Sequence, residues 1–127
     1  MSATASALVL FAHGARDPRW AEPFERIRAA VRTRRPGLTV ELAYLELMQP
    51  SLADAIGNLV AGGHRRITVA PLFMAQGGHL RNDLPKLLDS IRAAHANVEF
   101  TVLPAVGDVD AILNAIADWL LGALVSE

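Results

Sequence analysis

The stretch Ala7-Leu8-Val9-Leu10-Phe11-Ala12-His13-Gly14-Ala15-Arg16-Asp17-Pro18 decides the fold. Six apolar residues in a row, with no polar alternation, read as a short strand covered on both faces, the pattern of a parallel sheet. Asp17-Pro18 then supplies a helix cap followed by the residue favoured at the first helical position. Trp20, Phe24, Ile27 and Val31 follow at helical spacing and predict one apolar face, and Pro36-Gly37 ends that helix.

Three more units of the same kind follow. Leu38–Tyr44 reads as a strand, and Ser51 caps a helix whose face is Leu52, Ile56, Leu59 and Val60, closed by Gly62-Gly63. Arg66–Phe73 is the third strand. After Gly77-Gly78-His79 the chain is expected to turn, with a helix restarting near Asp83, Pro85 in its first turn, and Leu84, Leu87, Leu88 and Ile91 facing inward. Val98–Leu103 is the fourth strand, and Asp108 caps a last helix with Val109, Ile112, Leu113, Ile116 and Leu120 on its core side. That helix also carries Trp119, Leu121, Leu124 and Val125, an excess that suits either a dimer face or a helix end folded over the core. The alternation predicts an α/β fold: one doubly wound, four-stranded parallel sheet with helices on both faces and strand order 2-1-3-4. Residues 1–6 read as a disordered N-terminus and 7–127 as a single domain.

Composition narrows the function. The 127 residues suit one domain, and 52% apolar content supplies its core. A net charge of −1 gives no electrostatic footprint for nucleic acid. Cysteine is absent, which removes thiolate metal sites and leaves imidazole, carboxylate or backbone oxygen as ligands. No apolar run approaches the roughly 20 residues of a membrane helix, and the start lacks the basic residues of a secretory signal, so a cytoplasmic protein without membrane partners is expected.

In open parallel sheets ligands bind beyond the carboxyl ends of the strands, where the winding reverses. Order 2-1-3-4 puts that point between strands 1 and 3, and a histidine follows each: His13 and His79. Gly14, Gly77 and Gly78 flank them and would let backbone approach a ligand closely. Arg16 and Arg81 add guanidinium groups, and Glu46 follows the neighbouring strand 2. Two histidines are too few for a closed structural site, which takes four protein ligands, but enough to hold an ion that must leave again. His64 and His95 sit at helix ends and read as structural.

Three ordered segments, His13-Gly14-Ala15-Arg16-Asp17-Pro18, Leu45-Glu46-Leu47-Met48-Gln49-Pro50-Ser51-Leu52 and Pro71-Leu72-Phe73 through Gly77-Gly78-His79 to Asp83-Leu84-Pro85, resemble the sirohydrochlorin chelatases, in particular the small single-domain cobaltochelatase type. The similarity runs from about Leu8 to Trp119. It implies a class II chelatase fold, a homodimer, no organic cofactor, and a tetrapyrrole substrate that receives a divalent metal, Co2+ foremost, with Fe2+ and Ni2+ as other candidates. It also implies that His13 and His79 handle the metal and that Glu46 serves as an acid–base or metal-directing group. Guanidinium groups suit a carboxylate-rich macrocycle, so Arg16 and Arg81 are the residues expected to orient it, although a capping or ion-pair role would serve them as well. Imidazole coordinates only when neutral, so acid would oppose metal loading. Two rival functions are a non-enzymatic metal carrier built on the same histidines, and a histidine phosphatase. The second lacks the arginine expected before its nucleophile, where this chain has Ala12.

Overall fold

The computed structural model describes residues 6–75 and 77–124, with positions 78 and 79 given as backbone only. Strand β1 (Ser6–Ala12) leads through a 3-10 turn (Pro18–Ala21) into α1 (Glu22–Arg34). Then come β2 (Thr39–Tyr44), α2 (Leu52–Ala61), β3 (Arg66–Pro71), α3 (Gly78–Ala94) and β4 (Glu99–Val102). A second 3-10 turn (Val106–Asp108) precedes α4 (Asp110–Ala123). The sheet has the order β2-β1-β3-β4 with every pairing parallel, as the sequence predicts. β1 is central, which explains its unbroken apolar run.

The two sheet faces are covered unequally. On one, Val9, Phe11, Ile67 and Val69 are buried beneath Leu52, Ile56 and Leu59 of α2 and Leu84, Leu88 and Ile91 of α3. On the other, Leu10, Val40, Leu42 and Tyr44 lie beneath α1, with Phe24 and Val31 packed against them. Ser51 caps α2 as expected, its hydroxyl accepting the Asp54 N–H at 3.1 Å, and Gly63, at φ 98°, follows the helix in the conformation glycine favours.

Three helices depart from expectation. Asp17 caps the 3-10 turn rather than α1: its carboxylate accepts the Arg19 N–H at 3.0 Å and pairs with the Arg19 side chain, whose guanidinium holds that carboxyl below its ordinary pKa. Trp20, expected on the apolar stripe, sits in this tighter turn, out of phase with the helix, and is 68% exposed. Ile27 is also exposed, because α1 turns Arg28 toward the sheet instead, its Nε donating to the Val40 carbonyl at 2.8 Å. Helix α3 starts at Gly78 and not near Asp83, and Pro85 lies inside it. Leu80 packs against the core together with Leu84, so the apolar stripe extends one turn back and core packing outweighs the local start signal at Asp83. No residue of the expected α4 core stripe is fully buried: Ile112 and Leu113 are each 37% exposed and Leu120 52%, with Val109 and Ile116 half-buried.

Ile56 of α2 is fully buried against the sheet. Ile56→Ala should cost about 2–5 kcal/mol of stability through lost burial and the cavity left behind. Urea unfolding of the variant checks this, and a loss under about 1 kcal/mol would contradict the packing described.

Candidate functional site

At the carboxyl end of the sheet the pairing of β1 and β2 continues past the strands. The Leu45 N–H donates to the Ala12 carbonyl at 2.9 Å and the Glu46 N–H to the His13 carbonyl at 3.1 Å. The chain then reverses sharply, with Leu47 at φ 67° and the Met48 N–H donating to the Glu46 carbonyl at 2.8 Å. Gly14, at φ 94°, faces this turn, and a Cβ there would lie 1.9 Å from the Glu46 carbonyl oxygen. Only glycine permits so close an approach. The two exit loops are thereby locked together, and His13 Nε2 stands 3.5 Å from Glu46 Oε2. Both side chains remain open to solvent, 60% and 56% exposed, so they can meet an incoming ion. From behind, the buried Phe73 ring meets the His13 ring edge-on at 6.2 Å and itself packs on Phe11 at 5.4 Å.

His13 divides two cavities. One is an open cleft of about 450 Å³ lined by His13, Leu45, Glu46, Ala75, Gly77, Leu80 and Asp83. The other is an apolar pocket of about 230 Å³ formed with Trp20, Phe24, Tyr44, Met48 and Leu72. Burial pushes the Tyr44 hydroxyl above its ordinary pKa, and the charge of Glu25 adds to that while Arg28 opposes it. Position 79 falls in the first turn of α3 between Gly77 and Leu80, both of which line the cleft. Its side chain lies outside the described residues, as does any detail at Gly78. Among the described residues no three His, Asp or Glu side chains converge as a metal cage.

The sequence grouped more residues at this mouth than the structure brings there. His13, Glu46 and Gly77 share the cleft. Arg16 is exposed in the β1 exit loop and has no ion pair among the described residues. Arg81 lines a separate cavity of about 340 Å³ with Met74, Ala75, Ala105 and Asp108. Residues two apart on a helix point in different directions, so the early start of α3 carries position 81 away from the side that position 79 occupies. Gly14 serves the approach of the two loops, where the sequence suggested room for a ligand. Asp83 and Trp20, a helix start and a core position in the sequence pattern, both line cavities beside His13. With α3 starting at Gly78, positions 79 and 83 are one helical turn apart, a spacing that would have flagged Asp83. His64 is structural as expected, its ring bonded to the Leu59 carbonyl at 3.0 Å and the Thr39 hydroxyl at 3.2 Å.

A parallel sheet wound in two directions, with an open histidine-bearing mouth at its carboxyl end, defines a small doubly wound α/β protein. The chain belongs to the CbiX family, whose sequence pattern matches residues 7–121. It is 33% identical over 106 residues to the sirohydrochlorin cobaltochelatase of Saccharolobus solfataricus, an alignment covering 79% of this chain and 81% of that one. It is 35% identical to the sirohydrochlorin cobaltochelatase of Methanocaldococcus jannaschii over 70% of this chain and 62% of that one. Among solved structures, a CbiX protein from Marinobacter aquaeolei superposes with a TM-score of 0.79 at 32% identity, over 92% of this chain and 95% of the other. The fold also matches the sirohydrochlorin chelatase SirB of Bacillus subtilis subspecies spizizenii, solved in complex with cobalt, with a TM-score of 0.75 at 17% identity. This chain spans half of that longer one.

Gly14→Ala places a methyl group on the Glu46 carbonyl and forces a strained φ. The variant should lose about 2 kcal/mol or more of stability and also separate His13 from Glu46. Thermal unfolding reads the first effect and a crystal structure of the variant the second. A variant equal to the parent in both would contradict the locked-loop geometry.

Proposed function

We propose that the protein inserts a divalent metal, cobalt foremost, into sirohydrochlorin, with His13 and His79 as the metal-handling pair. The observation that carries this reading is the exposed His13–Glu46 pair at the edge of an open cleft whose rim includes the first turn of α3, where His79 lies. The relatives' names supply the substrate and the metal.

The chemistry follows from what a chelatase must do. The ion is a substrate, so its protein ligands must be few and accessible, and two imidazoles with open positions meet that need. The flat macrocycle requires an apolar wall, which Trp20, Phe24 and Tyr44 offer beside His13. Its carboxylates are favoured by Arg16 in the β1 exit loop and by the N-terminus of α3, where Gly77 borders the cleft. The cleft volume of about 450 Å³ lies within the range of small-molecule sites. As the metal enters the ring, two pyrrolic protons leave. Glu46 is the acceptor beside the metal position, and its carboxylate also steadies the imidazole of His13 while that side chain awaits an ion. Arg81 belongs to the neighbouring cavity, and its part is to hold a peripheral carboxylate of a substrate that overhangs the cleft. The protein works in the cytoplasm as a homodimer, an assembly that the exposed apolar surface of α4 supports.

Metal-free sirohydrochlorin and Co2+ should give the metallated spectrum faster with the protein than without it. His13→Ala and His79→Ala should each lower the rate at least about 10-fold, since losing even an outer-shell partner of a metal ligand costs that much, with unfolding temperatures unchanged. Glu46→Gln should lower the turnover rate on the order of 100-fold if it accepts the protons, while leaving cobalt affinity within a few-fold. A parent rate equal to the uncatalysed reaction would replace the chelatase by a metal carrier.

A further inference from the structure

The turn after β2 carries a residue that folding does not account for. The Met48 N–H donates to the Glu46 carbonyl at 2.8 Å, closing a three-residue turn, and Leu47 at its centre has φ 67°. Turns of this hand are rare and strained, and a bulky side chain is held in them against its own preference. Leu47 is the one non-glycine residue with a positive φ among the described residues. Its side chain offsets none of that strain. Leu47 is 60% exposed and belongs to neither core cluster, whereas Leu45 and Met48 nearby both pack against the core. Glycine or asparagine would adopt this backbone more readily and would expose no apolar surface. Strain that the surrounding structure maintains without return in stability points to a role outside the fold.

Its position supplies that role. Glu46 lines the open cleft and Met48 the apolar pocket, so Leu47 is the tip of the turn between the two cavities that His13 divides. Other exposed apolar side chains gather at this end of the sheet. Apart from α4 and Leu124, the described large ones are Ile27 on α1 and Trp20, Leu47, Met74 and Leu103, which follow β1, β2, β3 and β4 in turn. One exposed apolar residue needs no explanation. Four of them beyond the carboxyl ends of four strands lie where such sheets take their ligands.

We infer that Leu47 is a substrate contact, meeting the apolar face of the macrocycle where the ring spans the two cavities. The inference rests on the chelatase reading above and adds the residue that limits how closely the ring approaches Glu46 and His13. The Glu46 backbone is fixed by Gly14 and the His13 carbonyl, so the tip is a firm stop for the ring and not a mobile loop. Covering an otherwise exposed leucine favours binding on the order of 10-fold. The contact is the same before and after the metal enters, so it acts on KM and leaves kcat alone.

Three variants test it. Leu47→Gly and Leu47→Asn keep the turn and remove the apolar contact, and Leu47→Met keeps an apolar side chain. Quenching of tryptophan fluorescence by metal-free sirohydrochlorin reads ring binding without catalysis, and the insertion assay with Co2+ reads KM and kcat. The glycine and asparagine variants should raise both Kd and KM about 10-fold, with kcat within about 2-fold of the parent. The methionine variant should return both constants to within about 3-fold. The glycine variant should unfold at a temperature no lower than the parent. Ring binding that is unchanged in the glycine and asparagine variants, or a fall in kcat at constant KM, overturns the contact and leaves the chelatase standing. A lower unfolding temperature for the glycine variant assigns Leu47 to folding and overturns the contact too. A parent that binds the ring through Leu47 yet inserts metal no faster than the uncatalysed reaction keeps the contact and overturns the chelatase. A parent that does not bind the ring overturns both.

Discussion

The site depends on one close approach of backbone to backbone. Gly14 lies against the carbonyl of Glu46 at a distance that no side chain could tolerate, and the His13 carbonyl receives the Glu46 N–H. These contacts extend the β1–β2 pairing beyond the sheet into two loops that would otherwise be independent. An imidazole and a carboxylate separated by 33 positions in sequence are thus held at 3.5 Å without either being buried. Rigidity comes from the backbone, and the polar ends stay free to exchange partners. That division suits a protein whose metal arrives and leaves.

The sheet supplies the second constraint. Central β1 is buried on both faces, and the Phe11–Phe73 contact carries its rigidity up to the back of the His13 ring. His13 is then supported from behind by an aromatic edge and faced by Glu46, while two cavities open on either side. The fold thereby places an apolar wall and a polar cleft within reach of one imidazole, as insertion of an ion into a flat, carboxylate-rich ring requires.

The strand order and the loops that carry His13 and Glu46 were legible in the sequence because they follow from local signals: uninterrupted apolar runs, turn residues and the handedness of crossovers. The start of α3 was not. Asp83 and Pro85 have the look of a helix beginning, and only the packing of Leu80 on the core draws the helix back to Gly78. Helical phase follows from that start, so Arg81 lines a neighbouring cavity while Asp83 joins the cleft beside His13. The exposure of α4 was illegible for another reason. Periodicity shows that a surface is apolar but not which body covers it, and here its own sheet does not.

The central claim is that a metal ion is taken up between the exit loop of β1 and the first turn of α3. Anomalous diffraction at the cobalt edge from crystals grown with Co2+ tests it directly. The account predicts one strong peak about 2.0–2.2 Å from His13 Nε2, with a nitrogen of His79 as a second ligand. A peak located elsewhere, at His64 or His95, with none beside His13, would contradict it.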